Sequence, residues 1–184
     1  MAYITTYTGE HFDPLHPDID LIKGEDAAHA LSLICRGNGH VITFFSVGQH
    51  CINCCKEAME RGYSDRVALA CLVHDASEAY MSDVPRPLKQ LLPEYVEAEK
   101  KLLALVYEHF LGSKITDEEE KLVKEIDDDM LYYDMYHLLH EKIREEEPKI
   151  LIVLSYEEKP FLQVEKEYLE LLRKLLGRLG RKMC

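Results

Sequence analysis

A chain of 184 residues, 47 % apolar and 30 % charged, has the length and apolar content for one compact domain with a sizeable core, and is too apolar for a wholly disordered protein. Its formal net charge of −12, with no run of Lys or Arg, excludes a phosphate-tracking face and therefore a nucleic-acid polymer as partner. No apolar run approaches the roughly 20 residues of a membrane span, and Met1-Ala2-Tyr3-Ile4-Thr5-Thr6-Tyr7 lacks the apolar centre of a signal peptide, so a cytoplasmic protein away from membranes is expected.

Residues 1–23 carry no strong periodicity and read as irregular, turn-rich backbone. A helix is expected from Gly24-Glu25-Asp26 to Cys35, ended by Gly37-Asn38-Gly39. Val41-Ile42-Thr43-Phe44-Phe45 is a short apolar run suited to extended backbone. Ser46 caps a second helix, Val47 to Arg61, which Gly62 stops. Ser64 or Asp65 caps a third, whose dense apolar run Val67 to Val73 places it in the core, and which carries His74, Asp75 and Glu78 onward. Pro85 and Pro87 stiffen the linker that follows. Pro93 opens a fourth helix, stopped by Gly112, and Thr116-x-x-Glu119 forms a capping box for a long fifth, ended near Pro148. Ile150 to Leu154 has strand character but no partner strand, and a leucine-faced helix spans about 160–179.

Residues 1–184 therefore read as a single all-α domain, a bundle of about six or seven helices with at most a minor strand pair. Six cysteines (Cys35, Cys51, Cys54, Cys55, Cys71, Cys184) sit mostly within apolar helical patterns and read as reduced, packed thiols. Cys51-Ile52-Asn53-Cys54 lies inside a helix, where no N-terminal dipole would activate a redox thiol.

His74 and Asp75 end the apolar run side by side, and burying ionisable groups costs several kcal/mol unless a partner is present. That partner is either a hydrogen bond within the pair or a divalent cation. His50 on the second helix and an aspartate of Ile126-Asp127-Asp128-Asp129-Met130 on the fifth could complete a ligand set. Asp127 shares a face with Val123, Met130 and Leu131 and should point inward. Asp128 is the alternative at one residue's difference in phase, and Asp129 should face water. Two imidazoles and two carboxylates suit one divalent transition ion, Mn, Co, Ni, Fe or Zn, and leave positions for water and a substrate oxygen.

His50, His74-Asp75 and Asp127, in this order on helices, resemble the HD-domain metal-dependent phosphohydrolase superfamily. His74-Asp75-Ala76-Ser77-Glu78 with Asp83-Val84-Pro85-Arg86-Pro87-Leu88-Lys89 is similar to the H-D-x-S-E…D-x-P-x-P-x-K segment of bacterial 5′-deoxyribonucleotidases. Thr6-Tyr7-Thr8-Gly9, Asp13-Pro14-Leu15, His29-Ala30-Leu31-Ser32 and Cys35-Arg36 resemble a phage and prophage branch of that superfamily. The resemblance runs from about residue 5 to 135. It implies an HD-type helical fold, one metal ion on His50, His74, Asp75 and Asp127, a catalytic carboxylate at Glu78 and a sugar-side carboxylate at Asp83. Arg36 falls close to a phosphate-binding arginine, although Gly37-Asn38 replaces the bulky residue expected beside it, and Asp134 matches an acid that follows the ligand aspartate. With Arg86 and Lys89, Arg36 would offset phosphate charge.

The expected activity is hydrolysis of nucleoside or deoxynucleoside 5′-monophosphates to release phosphate. The alternatives are phosphodiester or pyrophosphate hydrolysis on the same centre, and a metal-stabilised module that binds a nucleotide without turnover. Glu78, one turn beyond the ligand pair on the same helix face, would handle the proton. The wide leucine face of the last helix and the resemblance together suggest a homodimer.

Overall fold

A computed structural model describes residues 3–182, which leaves the Cys184 thiol outside the described part. Strands β1 (Ile4–Thr5) and β2 (His11–Phe12) form a short antiparallel pair, Ile4 opposite Phe12. Helices follow as α1 (Gly24–Leu33), α2 (Val47–Glu60), α3 (Asp65–Val73), the single turns α4 (Glu78–Met81) and α5 (Arg86–Lys89), then α6 (Pro93–Leu111), α7 (Asp117–Leu139) and α8 (Phe161–Arg178). The architecture is all-α with one minor strand pair, as the periodicity and caps predict. No helix among the described residues is long and apolar enough to cross a membrane.

Helix α3 is the centre. Every residue from Val67 to Val73 is buried, which an all-apolar helix requires. Helices α2, α6, α7 and α8 pack around it, and α8 also lies along α1. The leucine face of α8 (Leu171, Leu172, Leu175, Leu176) is buried within this chain's own core, so its width is used internally. Tyr168 is fully buried there and donates its hydroxyl to the Leu72 carbonyl at 2.8 Å.

That hydroxyl helps explain the first departure from expectation. The predicted third helix was to run unbroken from Asp65 through Glu78, but α3 stops at Val73. Continuing it would need the carbonyls of Cys71 and Leu72 as acceptors for residues 75 and 76. Both are taken from the side: Cys71 by His74 Nδ1 at 2.8 Å, Leu72 by Tyr168. The chain instead turns tightly, with Ala76 N–H donating to Val73 and Glu78 N–H to Asp75, before α4 begins. Glu78 thus sits on a separate helical turn rather than one turn further along the face of His74 and Asp75.

Helix α7 also ends early. His140 adopts a left-handed conformation (φ 55°), and residues 141–160 run without regular structure. Glu141 to Glu147 offer no apolar stripe and are exposed throughout, so nothing would hold a continued helix to the core. Ile150–Leu154 keeps the alternation of a strand: Ile150, Ile152 and Leu154 face the core while Val153 is 97 % exposed. Its ladder partner is a side chain. The buried Glu57 carboxylate accepts from the Leu151 and Ile152 N–H groups at 2.9 and 3.1 Å. Residues 41–43 form bends rather than extended backbone, and the pairing nearby is the single bridge between Cys35 and Ser46.

Candidate metal centre

Four segments converge beside the end of α3. The capping box of Ser46 and Gln49 fixes the start of α2 and with it His50, in the first turn and fully buried. The tight turn after α3 presents His74 and Asp75, α7 supplies Asp127 and Asp134, and the segment after α1 supplies Arg36. His50 Nδ1 lies 2.8 Å from Asp134 Oδ2. His74 Nδ1 lies 2.8 Å from the Cys71 carbonyl, which can only accept, so that nitrogen carries the proton. With their Nδ1 sides occupied, both rings turn Nε2 into a common space, as histidines do when an outer acceptor orients them for a metal.

Into that space point Asp127 Oδ1, 3.2 Å from His50 Nε2 and 3.6 Å from His74 Nε2, and Asp75 Oδ2, 4.0 and 3.4 Å from the same atoms. Ligands bound at about 2.1 Å stand about 3.0–3.4 Å apart, so these spacings are close to the edges of a coordination polyhedron. His74 Nε2 is buried with no hydrogen-bond partner, and so is Glu78 Oε2. The donor set and the orphaned nitrogen fit a divalent ion, and these buried groups could hold one.

Asp128 is turned away, paired with Lys124 on the surface of α7, so the geometry favours Asp127 over its neighbour. Asp129, expected to face water, is instead largely buried between Arg61 and Arg144 at 2.8 and 2.6 Å. Its direction is set by arginines from α2's end and the 141–160 segment, which helix phase alone cannot reveal.

Electrostatics follow from three carboxylates facing one guanidinium. Arg36 lies 3.3 Å from Asp134 and 3.6 Å from Asp75. Burial disfavours charge on Asp127, but its hydrogen bond with His50 and the charge of the nearby His74 imidazole outweigh it and hold its carboxyl far below the usual range. Burial likewise opposes the cationic form of His74, and Arg36 adds to that penalty for His50. The carboxylates win in both cases and raise the two imidazoles. Both shifts favour the cationic imidazoles, the same sign of charge that a divalent ion would bring. Glu78 behaves oppositely: burial, then the charges of Asp75 and Asp83, push its carboxyl well above the ordinary value.

The cysteines are closer to this site than packing alone would suggest. Cys54 Sγ lies 3.5 Å from His50 Nε2, and Cys51 groups with His74 and Asp75. Burial raises both thiols, which keeps them neutral; Cys71 behind them is pushed up to about 12. Tyr156, from the segment after α7, donates to Asp134 Oδ1 at 3.1 Å. No periodic pattern marks Tyr156. The cysteines could have been placed, since residue 54 is one helical turn from His50.

The remaining expected residues are looser. Asp83 is half-buried and acts on Glu78 through its charge. Lys89 is engaged with Glu99 at 2.7 Å, and Arg86 is exposed with no ion pair to the cluster among the described residues.

No family model matches the chain. Over 112 residues it is 40 % identical to YfdR of Escherichia coli K12, a protein described as uncharacterized, across 60 % of this chain and 59 % of that one. Over 115 residues it is 34 % identical to an uncharacterized protein of Rhodobacter capsulatus, across 59 % of this chain and 58 % of the relative. The chain thus spans less than two thirds of the relatives it matches.

Proposed function

We propose that this chain is a metal-dependent phosphohydrolase of the HD type that releases phosphate from nucleoside 5′-monophosphates. The observation that carries the reading is the pair of inward-turned imidazoles, facing Asp75 and Asp127, with the unpartnered buried oxygen of Glu78 nearby. A module that merely binds metal needs the first four residues and has no use for the fifth.

His50, His74, Asp75 and Asp127 would hold the ion, which supplies Lewis acidity to a phosphate oxygen and to an attacking water. Mn, Fe, Co, Ni and Zn all suit nitrogen and oxygen donors. Arg36, kept cationic by Asp134 and Asp75, offsets phosphate charge at the rim of the cluster. Glu78, whose carboxyl is raised well above its ordinary value by burial and its acidic neighbours, is suited to give a proton to the leaving sugar oxygen. Asp134 fixes the orientation of both His50 and Arg36.

A screen of nucleoside 5′-monophosphates against Mn, Co, Ni, Zn and Mg, reading inorganic phosphate, tests the proposal. Phosphate release with at least one transition ion is the expected result. Cleavage of a diester to a nucleotide, with no free phosphate from monoesters, would replace it with diester chemistry. Metal binding with no hydrolysis of either class would leave only the binding module.

A further inference from the structure

A cavity of about 670 Å³ lies between the N-terminal strand pair, α1 and α4, within the size range of small-molecule sites. Glu78, whose Oε2 is buried and without a partner, lines it. Ile34, two residues before Arg36, lines it too. The cavity therefore adjoins the candidate metal centre through its proposed proton donor.

The cavity's chemistry excludes a second phosphate. No Lys or Arg side chain lines it. Of its two acids, Asp26 has both oxygens engaged, accepting from Thr8 N–H at 2.7 Å and the Thr8 hydroxyl at 3.0 Å. What remains is apolar surface from Ala30, Leu33 and Met81, a few hydroxyls, and an aromatic platform. Tyr7 stacks on His29 with ring centroids 3.7 Å apart and planes 8° apart. His29 is fixed from behind by Glu165 at 2.9 Å, while Tyr7 is 60 % exposed, open to a further flat ring. At the rim, Ser82 holds a backbone conformation (φ 70°, ψ 160°) that side chains rarely adopt, and Tyr95 accepts this strain by donating to the Ser82 carbonyl at 2.9 Å.

We propose that this cavity receives the uncharged nucleoside end of the substrate, its base against the Tyr7–His29 platform and a sugar hydroxyl donating to Glu78. The assignment rests on the phosphohydrolase reading for its orientation, with phosphate at Arg36 and the leaving group on the other side of Glu78. Flat heteroaromatic rings gain from stacking whatever their base identity, so the pocket selects nucleosides as a class and favours no one of them strongly.

Calorimetry on the metal-loaded chain, with adenosine, deoxyadenosine, thymidine and inorganic phosphate as separate probes, tests the cavity without relying on turnover. Wild type should bind the nucleosides. Ala30→Tyr, which fills the cavity from α1, should weaken them at least tenfold while inorganic phosphate affinity and metal content stay unchanged. Tyr7→Ala, at an exposed position where folding is secure, should weaken them less. No nucleoside binding by wild type, or wild-type affinity in both variants, overturns the proposal. Nucleoside binding that is lost in Ala30→Tyr, in a protein that releases no phosphate, keeps the cavity and removes the hydrolase reading. Nucleotide hydrolysis with KM unaffected by either variant does the reverse.

Discussion

Helices α2 and α7 carry an ionic cluster at each end of α2. Just beyond the C-terminal end of α2, Arg61 stands 2.8 Å from each of Glu57, Glu125 and Asp129, Arg144 adds a second cation on Asp129, and Glu57 also caps the backbone of residues 151 and 152. None of the buried polar atoms without partners belongs to this group. At the N-terminal end, Asp75 and Asp134 share the Arg36 guanidinium, Asp127 faces the two imidazoles, and His74 Nε2 and Glu78 Oε2 are left over. Both clusters set arginine against carboxylates of α7, and the second adds two imidazoles and the acid of the turn after α3. The first is satisfied by the chain itself and ties the 141–160 segment to the bundle. The second keeps a buried nitrogen and a buried oxygen without partners, which a bound ion or substrate could satisfy.

The contrast is broken most severely by removing a ligand. His74→Ala should lower metal content to near zero by elemental analysis and abolish phosphate release with it. It should also lower Tm, since binding to the folded state adds directly to its stability. Full metal occupancy in this variant would defeat the ligand assignment. Next comes Glu78→Gln, which keeps size and removes the titratable proton. Turnover should fall by roughly 10²–10⁴-fold with metal content unchanged. Loss of metal alongside activity would make Glu78 a ligand, and near-normal turnover would end its catalytic role.

Proton competition sharpens the same point. Both imidazoles are raised in the metal-free protein, so a metal must displace their protons. Affinity should climb with pH by up to about 10²-fold per unit for two displaced protons, levelling once the raised values are passed. The stability that the imidazolium–carboxylate contacts contribute is fully present below about pH 6.5 and lost as pH rises through those raised values. The Tm gap between loaded and stripped protein should therefore widen from pH 6 to pH 8.5, and a gap that narrows would contradict the assignment. At the balanced cluster, Glu57→Gln sets an amide donor against the N–H groups of residues 151 and 152. It should cost about 1–3 kcal/mol of stability, read as a Tm loss, while metal content at low temperature stays at wild-type level.

The site half of this contrast is legible in the sequence, and the balanced half is not. Caps at Ser46, Ser64 and Thr116 set three helix starts, and the face shared by Val123, Asp127 and Met130 follows from helical spacing. The early stop of α3 was not legible, because part of its cause is a tyrosine 96 residues away whose hydroxyl donates to the Leu72 carbonyl. Glu57 reads as one more surface acid of an amphipathic helix; only the backbone that folds over it makes it a buried acceptor. Asp129 was misjudged for the same reason, its arginines arriving from other segments. Local pattern marks where a helix starts and which stripe is apolar, and distant chain determines what a polar side chain meets.

The smallest expected effect is the most discriminating. Tyr156 is wedged between Phe45 and His137, with ring centroids 5.1 and 4.7 Å away, so the ring is held by packing independent of its hydroxyl. Burial and the charge of Asp134 raise the phenol, which therefore donates at neutral pH. Asp134 also accepts from His50 at 2.8 Å and Arg36 at 3.3 Å. Tyr156→Phe removes one of these three donors and leaves the ring in place. Removing a single such bond is worth about 0.5–1.5 kcal/mol, which corresponds to a loss in metal affinity of about tenfold or less. Chelator competition at fixed pH would measure it, with Tm of the stripped protein nearly unchanged. Because Tyr156 touches no ligand atom, the shift must pass through Asp134 to His50. A weaker metal in Tyr156→Phe at constant fold would place Asp134 as the residue that aims His50. An affinity equal to wild type would show instead that Arg36 alone keeps Asp134 in place, and that residues 141–160 contribute to the bundle through Glu57 and not to the site.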